Sequence, residues 1–321
     1  MLLKRLLSTA PVAVALALIV FVIGSESPAP NSAQVAELID PSAAITDSVP
    51  PPKPAAVATE SPVPLSIPTL LATPSRAPTP TSTREPSLRV MNVPILMYHY
   101  ISVPPPDADI YRLDLSVTPA NFQAQMEYLA TEGYHPIRLS DLTDYLLTGK
   151  PLPPKPIVLT FDDGYADNFE NALPILGKFK FTATFFIITQ FIDDKRFGYM
   201  NWNQVEELAI DGMEIGSHTL DHIDLKGKPL AVQNTEIAGS KAMIEARIGT
   251  PVQSFCYPSG KYDLRTIEIL RSAGYLAATT EIAGTQQSSN DMYQMRRIRV
   301  RGSYSVSEFA YWIKYFMASG K

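Results

Sequence analysis

Short apolar segments alternate with helix-like segments from residue 93 to the end of the chain, and this alternation most restricts the fold. Apolar runs of strand length occur at 93–100, 157–161, 182–188, 213–217, 252–257 and 275–280. Helical patterns occur at 119–131, 167–179, 229–248, 262–273 and 306–317. Thr118 and Pro119 are typical of the N-cap and first position of a helix. Strands that alternate with helices favour a parallel α/β sheet or barrel, in which chemistry gathers at the carboxyl ends of the strands.

Proline separates this region from the one before it. Fifteen of the 29 prolines lie between Pro28 and Pro94, in a stretch that is also rich in Ser, Thr and Ala. A stretch with almost no aromatic residues cannot bury enough apolar surface to fold alone. We therefore interpret residues 25–89 as a disordered spacer and residues 90–321 as one globular domain.

The first two dozen residues indicate export. Lys4 and Arg5 precede an apolar stretch at 6–24, as in a secretory signal. The stretch is also close to the roughly 20 residues that span a bilayer, and no clear cleavage site follows it. We expect residues 1–24 to be a signal peptide or an uncleaved membrane anchor, and the domain to be extracellular or at the cell surface.

The net charge and the cysteine content argue against a nucleic-acid partner and against a disulfide bond. The formal net charge is −5, which gives no reason to expect a nucleic-acid partner. Cys256 is the only cysteine, so the chain has no intramolecular disulfide.

Two aspartates directly follow the apolar run at 157–161. Asp162 and Asp163 precede Gly164, a residue that allows a sharp turn. Two adjacent carboxylates at the end of a strand are costly unless a cation or a proton compensates them. One carboxylate is then expected to bind a metal while its neighbour faces a substrate. The alternative is an ordinary surface turn, because Asp-Asp-Gly is a common loop composition.

Two of the four histidines lie four residues apart, after the run at 213–217. His218 and His222 share one face of a helix, or converge in a tight loop. With a carboxylate they form a His-His-Asp set with an open position, as in catalytic zinc sites. Thr219 occupies the position at which a zincin protease has its glutamate base, which argues against that class.

The strings TFDDG (160–164) and SHTLDH (217–222), in this order, resemble the first two signature motifs of the NodB-type polysaccharide deacetylases, carbohydrate esterase family four. The resemblance covers residues 93–300 and implies a distorted (β/α) barrel of the NodB-homology type. It also implies a hydrolase of carbon–nitrogen bonds other than peptide bonds. The implied metal ligands are Asp163, His218 and His222, and the implied general base is Asp162.

A divalent metal ion follows from the same resemblance. We expect Zn²⁺, with Co²⁺, Ni²⁺ and Mn²⁺ as alternatives that an Asp-His-His set also accepts. A bound divalent cation lowers the pKa of its water toward about 7 and polarises the amide carbonyl. A neighbouring carboxylate can then take the proton of the water during attack.

The third motif of the family is similar to FCYPSG at 255–260, although with departures. The retained proline and glycine favour a turn that presents backbone N–H groups to an oxyanion, so Tyr257 and Ser259 are candidate oxyanion or substrate residues. Cys256 stands where the family often has the arginine that orients the base. Arg297 and Arg299 are the candidates to replace that arginine.

A general acid must protonate the leaving amine, and no histidine follows His222. His99 ends the first apolar run and is similar to the acid of the branch that carries its catalytic histidine near the domain start. That branch includes poly-N-acetylglucosamine deacetylases. His135, which precedes a proline, is the alternative. Weaker candidates for stacking against sugar rings are Tyr165, Trp202 and Tyr262.

Together these expectations describe a monomeric N-deacetylase of an extracellular polysaccharide with N-acetylglucosamine-type units. It contacts a membrane only if the segment 1–24 stays uncleaved. Two alternatives remain open. The altered third motif would suit a non-catalytic glycan-binding protein, and an O-acetyl esterase would share the fold.

Overall fold

The computed structural model describes residues 88–320. The predicted signal peptide or anchor and nearly all of the predicted spacer lie outside this range. Within it, no helix combines the length and the apolar character needed to cross a membrane.

Ten strands are present in the described range. In chain order they are β1 (Val90–Asn92), β2 (Ile95–Tyr98), β3 (His135–Ile137), β4 (Pro156–Phe161), β5 (Thr184–Ile187), β6 (Glu214–Ser217), β7 (Ser254–Cys256), β8 (Ala277–Ala283), β9 (Gln286–Ser288) and β10 (Met295–Arg299). Seven of them, β2-β4-β5-β6-β7-β8-β10, form a closed parallel ring in which β10 pairs with β2. This confirms the predicted distorted (β/α) barrel. β3 pairs with the start of β4, and β1 forms a separate antiparallel ribbon with β9.

Nine α-helices connect or cover these strands in the described range. They are α1 (Ile110–Leu115), α2 (Pro119–Thr131), α3 (Leu139–Thr148), α4 (Leu173–Phe179), α5 (Thr189–Asp193), α6 (Trp202–Ile210), α7 (Leu230–Ile248), α8 (Leu264–Ser272) and α9 (Val306–Ser319). The prediction of α2 is confirmed, and the Thr118 side chain accepts a hydrogen bond from the N–H of Asn121 at its start. The sequence patterns did not predict α1, α3, α5 or α6, or the strands β1, β3 and β9.

The predicted helix at 167–179 has two parts. A π-helical turn at Asn168–Ala172 precedes α4. Pro174 has no N–H to donate to a carbonyl four residues earlier, so the normal α-helical bond is missing at this point. The widened turn closes instead through the N–H of Leu173 and the carbonyl of Asn168.

Alternating side chains of each strand fill two different clusters. Tyr98, Phe161 and Phe185 stack from neighbouring strands beneath the surrounding helices, with ring centroids 5.3 and 4.7 Å apart. Full burial of one such ring contributes about 1.5–3 kcal/mol. The intervening residues, among them Val158 and Cys256, belong to a second cluster that includes the apolar face of α3. Asp162 continues the alternation of Val158, so its carboxylate belongs to the interior side of β4.

Candidate metal centre and active site

The chemically active side chains collect where the parallel strands end. Asp162 and Asp163 follow β4, His218 follows β6, and Cys256 is the last residue of β7. His99 follows β2, whose Tyr98 is in register with Phe161 of β4. Because these strands are parallel neighbours in one ring, their carboxyl ends meet at the same mouth of the barrel.

The backbone at the two predicted metal-ligand segments is left-handed. Asp163 has φ 75°, Thr219 φ 69° and His222 φ 59°. The histidines therefore converge from a tight loop, which is one of the two arrangements that their spacing allowed. Gly164, with φ 79°, also needs glycine, because a Cβ there would lie 3.2 Å from Cγ2 of Ile187.

Asp163, His218 and His222 form a compact set of donor atoms. The Oδ1 atom of Asp163 lies 3.3 Å from Nε2 of His218 and 3.4 Å from Nε2 of His222. Two ligand atoms at zinc-bonding distance on a tetrahedral ion lie about 3.3–3.4 Å apart. The donor set therefore fits one divalent ion. The Asp163 and His218 side chains are nearly buried, whereas that of His222 is 34% exposed and leaves one side accessible.

Hydrogen bonds orient these donors. Nδ1 of His218 lies 2.8 Å from the carbonyl oxygen of Cys256, so Nδ1 donates there and Nε2 is the ring nitrogen directed at Asp163. Burial opposes ionisation of Asp163, but the hydrogen bonds of His218 and His222 outweigh it and hold the pKa of Asp163 well below its usual range.

Glu236 of α7 supports the histidine loop and has no counterpart in the sequence predictions. Its buried carboxylate accepts the N–H groups of Leu220 and Asp221 at 3.0 and 3.1 Å. On the other side, the N–H groups of Thr189 and Gln190 donate to the carbonyls of residues 219 and 220. Nothing in the sequence distinguishes Glu236 from Glu245, the other glutamate of the same helix.

Asp162 points toward a different partner. Arg297 donates to both of its oxygens, from Nη1 to Oδ1 at 2.7 Å and from Nη2 to Oδ2 at 2.8 Å. Burial would raise the pKa of Asp162, but the adjacent guanidinium outweighs burial and lowers it. A second cluster of possible ligands, Asp162, His218 and Cys256, is less suitable for a metal because Arg297 already occupies the carboxylate.

Arg297 and Arg299 have different partners in the structure. Arg297 reaches Asp162, and its Nη2 lies 3.2 Å from Sγ of Cys256, whose small side chain leaves room for the guanidinium. Arg299 instead pairs with Asp114 at 3.3 Å and with Glu281 at 3.4 Å. As a base-orienting candidate, Arg299 is not supported by these contacts.

The two candidate acids lie at opposite ends of the barrel. Nε2 of His99 is 3.9 Å from Oδ2 of Asp162. Burial, aided by the charges of Arg297 and Arg299, lowers the pKa of His99 despite the two nearby aspartates. His135 pairs with Pro156 at the start of β4, six residues before Asp162, which corresponds to about 20 Å of strand. The structure therefore brings only His99 to the site.

The two candidate residues of the third motif differ in burial, because Tyr257 is buried and Ser259 is exposed. Tyr257 turns into the core, where its hydroxyl donates to the carbonyl of Tyr293 at 3.0 Å and its N–H to that of Thr279 at 3.3 Å. With both groups engaged, the predicted role of Tyr257 at an oxyanion or substrate is not supported. Ser259 is exposed in a left-handed turn, φ 52°, three residues beyond Cys256.

Of the three aromatic candidates for sugar stacking, only Tyr165 lies beside the site. It follows Gly164 and stacks on Tyr100 with a centroid distance of 3.6 Å. Trp202 is buried and donates from Nε1 to Asp193. The ring of Tyr262 stacks on the buried Tyr257 at 4.4 Å.

A barrel with polar groups of this kind at its mouth defines an enzyme with a candidate Asp/His metal site. The sequence profile of the polysaccharide deacetylase family matches residues 149–278. One relative, YxkH of Bacillus subtilis (strain 168), is 32% identical to this chain over 222 residues. The matched residues are 69% of this chain and 76% of the relative, and the name of YxkH assigns it to the polysaccharide deacetylases. The chain therefore belongs to the polysaccharide deacetylase family.

Solved structures and a more distant relative agree with this assignment. The deacetylase PplD of Streptococcus pyogenes, in complex with acetate, has 28% identity and a TM-score of 0.65, over 70% of this chain and 99% of that chain. The poly-beta-1,6-N-acetyl-D-glucosamine N-deacetylase of Escherichia coli (strain K12) is 26% identical over 61% of this chain, which spans 35% of that protein.

Proposed function

We propose that this protein is a metal-dependent N-deacetylase of an extracellular polysaccharide with N-acetylglucosamine-type units. The observation that carries this proposal is the division of labour between two adjacent aspartates. Asp163 faces two imidazoles, whereas Asp162 faces a guanidinium and a third imidazole. One carboxylate would then bind a cation, and the other would exchange a proton.

Asp163, His218 and His222 would hold the divalent ion, with Zn²⁺ as the expected metal. When bound, such an ion polarises a carbonyl and lowers the pKa of a water molecule. The exposed side of His222 leaves the approach that a polymer needs. The hydrogen bond from His218 to the carbonyl of Cys256 keeps the correct ring nitrogen directed at the ion.

Asp162 acts as the general base. Arg297 keeps it ionised and fixes the plane of its carboxylate through two hydrogen bonds. Oδ2 takes a proton from the attacking water as the water oxygen bonds to the amide carbon. Cys256, at the position where related sequences often have arginine, does not deprive the base of support, because Arg297 supplies the guanidinium from β10.

His99 acts as the general acid. Nε2 of His99 lies 3.9 Å from Oδ2 of Asp162, so the proton taken from the water passes from Asp162 to the imidazole. The bond between the carbonyl carbon and the nitrogen breaks as Nε2 gives this proton to the departing amine, which leaves a free amino sugar and acetic acid. The acid then loses its remaining proton to solvent and becomes acetate. Negative charge that develops on the carbonyl oxygen during attack raises the pKa of the nearby imidazole. That change favours the protonated ring at the step where it is needed. The N–H of Ser259, in its exposed left-handed turn, is our candidate donor to the oxyanion.

The substrate class follows from the family and from the relatives. The Escherichia coli relative is named as an N-deacetylase of a poly-N-acetylglucosamine. The leader and spacer expected at 1–24 and 25–89 would place the domain from 90 to 321 outside the cytoplasm, at the cell surface or secreted. We propose that it acts there as a monomer.

Acetate release from an N-acetylglucosamine oligomer, with zinc supplied, tests this function. Asp162→Asn should retain zinc binding in calorimetry and lose about 10²–10⁴-fold in turnover. Asp163→Asn is the matched variant and should lose zinc binding as well. Full activity of Asp162→Asn would show that the assigned base is wrong. Release from acetylated xylan alone would favour the O-acetyl esterase, and no release from either glycan would favour the non-catalytic binding protein.

A further inference from the structure

His99 lies beyond the regular ladder of its strand. β2 ends at Tyr98, whose carbonyl accepts the N–H of Asp162 at 2.9 Å. After His99, Tyr100 leaves the barrel and bridges Ser116, with its N–H donating to the carbonyl of Leu115 at 3.2 Å and its carbonyl accepting the N–H of Val117 at 3.0 Å. The barrel ladder therefore does not fix the main chain of His99, and other groups must determine where its ring stands.

Side chains from the π-helical turn hold this segment. Nδ2 of Asn168 donates to the carbonyl of His99 at 2.7 Å, and Nδ2 of Asn171 donates to the carbonyl of Ile101 at 2.8 Å. Oδ1 of Asp167, just before the turn, accepts a second hydrogen bond from Nδ2 of Asn168 at 3.0 Å. Asn168 is fully buried, so its hydrogen bond is not exchanged with solvent.

Both asparagines of the turn reach the segment that follows β2, Asn168 at the carbonyl of His99 and Asn171 at that of Ile101. The same turn begins five residues after Asp163, so one continuous stretch carries the two aspartates and the two asparagines. The chain that positions Asp162 therefore also holds His99.

We propose that Asn168 is a positioning residue for the reaction. By holding the carbonyl of His99, it sets the 3.9 Å separation between Nε2 of His99 and Oδ2 of Asp162. This inference rests on the proposed role of His99 as the acid. Asn168 does not touch the reacting atoms, and its effect on turnover passes through the position of the imidazole.

Asn168→Ala and Asn171→Ala form a matched pair. Each removes a hydrogen bond from the same turn to a main-chain carbonyl, but only the first reaches His99. Asn168→Ala also removes the bond from Nδ2 to Oδ1 of Asp167 at 3.0 Å. A displacement of about 1 Å in a reacting group can cost about 100-fold in rate. We expect kcat of Asn168→Ala to fall about 10- to 100-fold with KM and zinc affinity unchanged, and kcat of Asn171→Ala to fall less than about 3-fold. Asn168→Leu, which keeps most of the shape and lacks the donor without adding a charge, should behave like Asn168→Ala if the alanine variant does not fold.

A double-mutant cycle with His99→Ala decides whether Asn168 acts through His99. If it does, the double variant is no slower than His99→Ala alone. The inference is overturned if Asn168→Ala keeps wild-type kcat, if the Asn171→Ala loss is equally large, or if the losses multiply in the double variant. Wild-type kcat in His99→Ala would reject the acid assignment and this inference together. A slow His99→Ala beside an unaffected Asn168→Ala would reject this inference alone.

Discussion

Replacement of Arg297 by methionine tests the buried ion pair that supports the proposed base. Methionine keeps much of the length of the side chain and removes the charge. Both side chains of the pair with Asp162 are at most 3% exposed. Arg297 also donates to the carbonyl of Thr280 at 2.9 Å and to the hydroxyl of Thr160 at 3.1 Å. The variant leaves a buried carboxylate without compensation.

Removal of one partner from such a pair costs about 3–5 kcal/mol. For a domain of this size, that loss lowers the melting temperature by roughly 6–20 °C. Arg299→Met on the same strand is the control. Its side chain is 33% exposed, its partners are Asp114 and Glu281, and pairs of this kind contribute about 0–1 kcal/mol.

Urea unfolding of the full chain measures both free energies. The third variant combines Arg297→Met with Asp162→Asn, which removes the unpaired charge. It should recover at least about 1 kcal/mol relative to Arg297→Met alone. The reasoning is refuted if Arg297→Met and Arg299→Met lose the same free energy, or if the losses from Arg297→Met and Asp162→Asn simply add.

Two further predictions concern residues that surround the site. Glu236→Ala leaves the N–H groups of Leu220 and Asp221 without their acceptor. Zinc binding measured by calorimetry should weaken about 10- to 100-fold, while the far-UV circular dichroism stays unchanged. Unchanged zinc affinity would mean that the histidine loop keeps its shape without Glu236. Cys256→Ser should keep the rate of acetate release within about 3-fold of the wild-type rate, since we assign the thiol no chemical step. Cys256→Arg should lower the free energy of unfolding in urea by about 3 kcal/mol or more, because it buries a second guanidinium beside Arg297. A stable Cys256→Arg variant would contradict the packing argument.

Local signals account for the parts of the fold that were predictable. The apolar runs that became β2, β4 and β5 are fully buried, as expected for parallel strands covered on both faces. α2 carries its own N-cap at Thr118. α6 has a comparable signal, because Asn201 and Gln204 form a capping box, and the helix was nevertheless not predicted. α3 offers less, since Arg138 at its N-cap is not a typical capping residue.

Local sequence patterns also predicted some residues of the site and left others unpredicted. The aspartates and the paired histidines follow strands directly, so adjacency in sequence predicted their meeting. Arg297 and Arg299 are two residues apart, and strand alternation places both on one face. Burial separates them, because the Arg297 side chain is buried against Asp162 whereas Arg299 is the last residue of β10 and its side chain is 33% exposed. Contacts between distant segments, such as that of Asn168 with His99, leave no local pattern.

Removal of the metal tests whether acetate release by this protein depends on a bound divalent ion. Acetate release from an N-acetylglucosamine oligomer is measured before chelation, after dialysis against a chelator, and after one equivalent of Zn²⁺ is restored. We expect a loss of about 100-fold or more on chelation, because Asp163, His218 and His222 would lose their ion, and recovery when zinc returns. Release that continues unchanged in the thoroughly chelated protein would contradict this expectation.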